Sequence, residues 1–190
     1  MENSNQQNLD LIANMIRTAQ RRCYNDSPYY ILWGCTIFIA SILQYLLIIK
    51  SYHQNGIGWL ILIPSALIVQ FIIVNKQKKK ETSKTHIEHL MVSLWIAFGI
   101  TLFIVLTFSF KLGVNTLPII LCLYAISTFV SGSAFKISAF IFGSISCWIL
   151  AIVSFFMSID LQLLLLAAGV LFAFIIPGII LRVNEKKEII

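Results

Sequence analysis

The sequence predicts an all-α polytopic membrane bundle of six transmembrane helices, with both termini cytoplasmic and an interfacial amphipathic helix ahead of the first span. Three observations predict it. The 190 residues are 58% apolar and only 12% charged, with a mean hydropathy of +0.87, whereas soluble domains run at about 45–50% apolar and about 25% charged. The apolar residues gather in six blocks: Tyr29 to Ile49, Ile57 to Val74, Leu90 to Phe110, Val114 to Val130, Ile137 to Met157 and Leu161 to Leu181. Most match the ~20 residues a helix needs to cross a ~30 Å hydrocarbon layer. Of the 14 Lys and Arg, all but Lys50 and Lys111 fall on the N-terminal side of the membrane those blocks define. Basic loops stay cytoplasmic, so the asymmetry orients the chain.

Taken in order, residues 1–27 form a cytoplasmic segment, 28–182 the bundle and 183–190 a short cytoplasmic tail. Within the first, Leu9, Leu11, Ile12, Met15, Ile16 and Ala19 recur at spacings of three and four, with Arg17, Arg21 and Arg22 mostly on other faces. That is an amphipathic helix from Asn5 to Arg22, with Ser4 and Gln7 compatible with a capping box. It reads as a helix on the inner leaflet, or as a docking surface or flap for the cytoplasmic face. No cleavable leader is visible, so the first span is expected to insert as an uncleaved anchor.

Asn25 to Pro28 make a turn, after which Tyr29, Tyr30 and Trp33 are expected at headgroup level as anchors. Tyr30, Leu32, Trp33 and Gly34 spell Tyr-x-Leu-Trp-Gly at the mouth of the first span. With the amphipathic start, this resembles a group of small bacterial multi-span membrane proteins, often encoded beside a small winged-helix regulator. The resemblance covers roughly residues 8 to 45 and departs at Cys35, where an aromatic often follows the glycine. It implies a bacterial cytoplasmic (inner) membrane protein with a regulatory or stress-related role, and no activity.

No Asp, Glu, Lys, Arg or His lies inside any block, which argues against ion-coupled transport and against hydrolysis at membrane depth. The longest loop, Asn75 to His89, has no room for a catalytic domain. Its His86-Ile87-Glu88-His89 run spaces the histidines three apart, unlike the H-E-x-x-H zinc signature, and reads as a polar turn beside lysines that contact anionic lipid. The four cysteines are expected as free thiols without metal or redox spacing. No cofactor, no metal site and no nucleic-acid partner is expected; the basic balance follows from topology.

Within the spans, Ala139, Gly143, Cys147 and Ala151 recur every four residues, a small-residue stripe for close helix packing or for a partner. Gly169, Ala173 and Pro177 make a shorter version, and the two helices are expected to form a tight hairpin. Pro64 and Pro177 should bend their helices, whereas Pro118 sits in a first turn at little cost. Gln44, Tyr45, Thr107 and Ser109, with Asn115, cluster toward the outer leaflet, as a possible pocket walled by Trp59 and Trp148 or as interhelical hydrogen bonds. The sequence therefore points to a non-enzymatic interaction or regulatory subunit working with the lipid bilayer, a membrane-protein partner or a second copy. A substrate-binding membrane subunit of a small-molecule importer is the alternative, and an enzyme acting on lipid a more distant third.

Overall fold

The computed structural model describes residues 20, 23–50, 56–77 and 86–189, except the side chains of 76, 77, 86, 88 and 186–189. The amphipathic stretch Asn5 to Arg22, apart from Gln20, lies outside these residues, as do most of the lysine-rich loop and the His86 and Glu88 side chains. Among the described residues the chain is all-helical, without strands. The long elements are α1 (Ser27–Ile49), α2 (Ile57–Gln77), α3 (His86–Thr107), α4 (Thr116–Phe135), α5 (Ser138–Ser154), α6 (Ile159–Val170) and α7 (Ile176–Ile189).

Among the described residues, five helical stretches are long and apolar enough to cross a membrane: Ser27–Ile49, Ile57–Asn75, His89–Thr107, Ser109–Phe135 and Ile159–Glu185. This is the make-up of an α-helical membrane bundle. The fifth apolar block departs from expectation, because α5 has 17 residues, about 25 Å at 1.5 Å per residue. It starts after Lys136, a left-handed residue at φ 53° whose N–H closes the end of α4 on the Gly132 carbonyl, and it ends in the turn around Phe155 to Met157.

Other boundaries shift for local reasons. The fourth helix starts at Thr116 and runs to Phe135, past Val130, because Ser131, Gly132 and Ser133 are tolerated where helices pack closely. The third ends at Thr107 rather than Phe110, and a four-residue helical turn, Ser109–Leu112, leads to Gly113 at φ 56°. The sixth block is one path in three pieces: α6, a π-helical turn over Leu171–Ile175, and α7, which carries helix on through Ile189. Pro177 supplies the cause. It lacks an N–H and its ring crowds the carbonyl of Ala173, so the preceding turn widens. Pro64, by contrast, sits inside an α2 assigned as helix without a break.

The core forms where α4, α5 and α6 meet, around Leu121, Phe140, Cys147 and Val170, all fully buried. Helix α1 completes it by packing on α6, the π turn and α7, while α2 packs on α1 and α3 packs mainly on α4. Consecutive helices run in opposite directions, which gives the bundle two ends. One carries the start of α1, the α4–α5 turn with Lys136, and Arg182. The other carries Lys50, Lys111 and the α5–α6 turn.

Candidate functional site

The Tyr-x-Leu-Trp-Gly residues have separate jobs inside the bundle. Tyr30 is buried, with its ring 4.8 Å from Phe140, 6.1 Å from Phe174 and 6.2 Å from Trp95. Trp95 continues to Phe98 at 5.4 Å, Phe98 to Tyr124 at 5.2 Å, and Tyr124 back to Phe174 at 5.2 Å. These tilted and edge-on contacts are the arrangements aromatic quadrupoles favour, and they join α1, α3, α4, α5 and the π turn. Trp33 donates its indole N–H to Gln70 Oε1 on α2 at 3.0 Å, and the Leu32 carbonyl accepts the Thr36 hydroxyl at 2.7 Å. Gly34 is small because α1 presses on the π turn there; a Cβ would stand 2.7 Å from Ile175 Cγ1. Tyr30 is thus a core ring rather than the headgroup anchor expected of it, and Trp33 ties α2 to α1.

Beside this hub, Gln20 Nε2 donates to the Phe135 carbonyl at 2.8 Å, closing the end of α4. Cys23 and Ser27 are buried. Burial first, then the charge of Asp26, pushes the Cys23 thiol well above its ordinary range, against a smaller opposing pull from a hydrogen bond with Tyr30. All four cysteines are free.

The α5 stripe is occupied by the chain's own last segment. A Cβ on Gly143 would meet the Phe172 carbonyl and lie 2.9 Å from Ala173 Cα, Cys147 donates to the Gly169 carbonyl at 3.3 Å, and Ala151 is buried while Ala139 is half-buried. A second small face is just as tight and was missed from sequence. Ser127, Thr128, Ser131 and Gly132 on α4 are buried. The Thr128 and Ser131 hydroxyls bond back to carbonyls of their own helix at 2.7–3.2 Å. A Cβ on Gly132 would stand 2.8 Å from Phe140 Cβ. The Ser-xxx-Ser and Thr-xxx-Gly spacings were the available signal.

The outer polar residues are dispersed among elements. Thr107 is exposed and gives its hydroxyl to the Phe103 carbonyl at 2.8 Å. The Ser109 carbonyl accepts from Thr116 at 3.4 Å. Gln44 and Tyr45 are half-buried on α1, and Gln44 Oε1 has no partner. Trp59 packs on the core and Trp148 lies 5.3 Å from Phe129. Gln162, which the sequence did not single out, is fully buried and donates to the Ser154 and Met157 carbonyls, both at 3.0 Å. Among the described residues no group of three His, Cys, Asp or Glu is placed to hold a metal.

These features define an all-helical apolar bundle whose interior is organised by rings, small residues and a few buried amides. The chain matches no protein-family profile, no curated protein and no solved structure.

Proposed function

We propose that this is a multi-pass protein of the bacterial cytoplasmic membrane, crossing six times with both termini cytoplasmic, that acts as an interaction or regulatory subunit without chemistry of its own. The sixth crossing is α5. It is short, but it runs between the same two ends as α4 and α6, from the Gly132–Phe140 contact to the Ser154–Gln162 bond. The end with Lys136 and Arg182 is the cytoplasmic one, where the loop lysines and the arginines of the amphipathic stretch meet anionic headgroups.

The observation that carries the interaction reading is uneven packing. In α2 and α3 only 11% of the span is buried, against 50% in the spans containing α4 and α6. The α5 stripe is already used internally, which moves the partner surface to α2 and α3, two span-length apolar faces that another membrane protein's helices can cover. Photo-crosslinkers at Leu60 and Phe103, 76% and 71% exposed, should capture one protein of defined mass in native membranes, with Phe142 on α5 as the control. Adducts with lipid alone at all three positions would defeat the reading. Orientation has its own test: a cysteine at position 53 should label in intact cells and one at position 80 should not.

The importer-subunit reading is favoured by one observation, the unpaired Gln44 and Gln162 amide oxygens at the outer end. Native mass spectrometry after gentle extraction separates the two, since a small-molecule adduct supports a binding subunit and a protein partner supports the first reading.

A further inference from the structure

The end of the bundle that carries Lys50 and the α5–α6 turn holds four buried oxygens with no hydrogen-bond partner among the described residues: Ser41 Oγ, Gln44 Oε1, Ser154 Oγ and Gln162 Oε1. Ser41, Ser154 and Gln162 are at most 1% exposed. The orientation of the Gln162 amide is set by its neighbours. Nε2 gives both hydrogens to carbonyls at and just past the C-terminal end of α5, that of Ser154, which also accepts the Met157 N–H, and that of Met157. Turning the amide over would set Oε1 against two carbonyl oxygens, so Oε1 faces elsewhere as an acceptor without a donor. Ser154 Oγ, on the residue whose carbonyl Gln162 caps, is likewise unpaired.

Helix α1 brings the other two to the same level. The Gly34–Phe174 and Ile31–Gly178 contacts fix an antiparallel register. Carried outward at 1.5 Å per residue, it sets Gln44 within about one helical turn of Gln162 along the bundle axis. Ser41 lies one turn further in, on the same side of α1. None of the four is a carboxylate, which argues against a divalent cation, whose sites draw on carboxylate oxygens.

We propose that this layer is a binding site for a small uncharged hydrogen-bond donor, water or a solute of the same chemistry, seated between Gln162 Oε1 and Ser154 Oγ with Gln44 at its rim. Buried polar atoms in native proteins are satisfied by protein or by ordered solvent, and among the described residues these four oxygens have no protein partner. The proposal goes beyond the interaction reading and does not depend on it.

The test is a structure of the full chain in lipid nanodiscs at a resolution that shows ordered solvent, paired with Ser154→Ala, which keeps the carbonyl that Gln162 caps. The expected result is density within hydrogen-bond distance of both Gln162 Oε1 and Ser154 Oγ, displaced or lost in the variant, which also melts at a lower temperature. Single-atom density identifies solvent, and multi-atom density that survives exchange into solute-free buffer identifies a solute. A Ser154 hydroxyl bonded directly to Gln162 Oε1 or to a carbonyl of α5, with no density between, would overturn the proposal.

Discussion

Helices α2 and α4 invert the usual relation between hydrophobicity and burial. The α2 span has a mean hydropathy of 2.5 and is 11% buried, whereas the span that contains α4 has 1.8 and is 50% buried. In water the more apolar helix would go inside. In a bilayer the solvent is itself apolar, so hydrophobicity earns no interior place, and the helices that can approach most closely take it. Helix α4 can, because Ser127, Ser131 and Gly132 offer little bulk to α5. Helix α2 offers Leu60, Ile61, Ile68 and Phe71, which are exposed, and it is held by the Trp33–Gln70 hydrogen bond, by Trp59 against the core, by a buried Ala66 and by a close Gly58.

The sharpest way to break this contrast is to add bulk on the packed side. We expect Gly143→Leu to cost about 3 kcal/mol or more, because both neighbours are backbone and cannot swing aside, at or above the upper range for overpacked cores. The folded fraction in detergent would report it, and a fully folded variant would mean that the contact between α5 and the π turn is looser than described. Next is Phe140→Ala, which empties a fully buried site touching Tyr30 and Gly132; large-to-small core changes of this kind cost about 3–5 kcal/mol. Thermal melting should separate it clearly from Phe103→Ala on the exposed side of α3, expected within about 0.5 kcal/mol of the parent.

On the loosely held side, Gln70→Leu strands the Trp33 indole and should cost about 1 kcal/mol, in the range of interhelical hydrogen bonds in membranes. The shift should vanish when Trp33→Phe is already present; additive losses would show that the two do not act as a pair. The smallest effect concerns pH. The Cys23 thiol is held neutral in the fold, while in the unfolded chain it ionises near 9. Raising pH above that value therefore draws the equilibrium toward the unfolded form, and stability falls as pH climbs further. Cys23→Ser should flatten that part of the stability profile, and an unchanged slope would place the thiol in contact with solvent.

The helices were legible because the length of an apolar run is a local property, readable without knowing any neighbour. Their neighbours were not. Tyr30 at the start of a span reads as a headgroup anchor until Phe140 and Phe174, more than 100 residues later in the chain, close over it. The α5 stripe was visible as a stripe, but which surface it meets depends on where the π turn sets Phe172 and Ala173. The α4 stripe had the same spacing signal and was passed over because its hydroxyls read as polar rather than as small. The unpaired oxygen of Gln162 was beyond sequence altogether, since it follows from where α5 stops.

The π turn before Pro177 has one more consequence. Each residue of a regular helix advances the face by about 100°, and the widened turn absorbs one residue without that advance being passed on. Gly169 can therefore meet Cys147 on one side of it while Ile175 and Gly178 meet Gly34 and Ile31 on the other. Deleting one residue within the turn would let it tighten into regular helix with the two halves still in phase, whereas deleting one residue well outside it would swing the part of the segment beyond by about 100° away from its neighbours. Outside the turn, the last segment thus carries a counting constraint, in which the number of residues, more than their identity, keeps its two halves in phase.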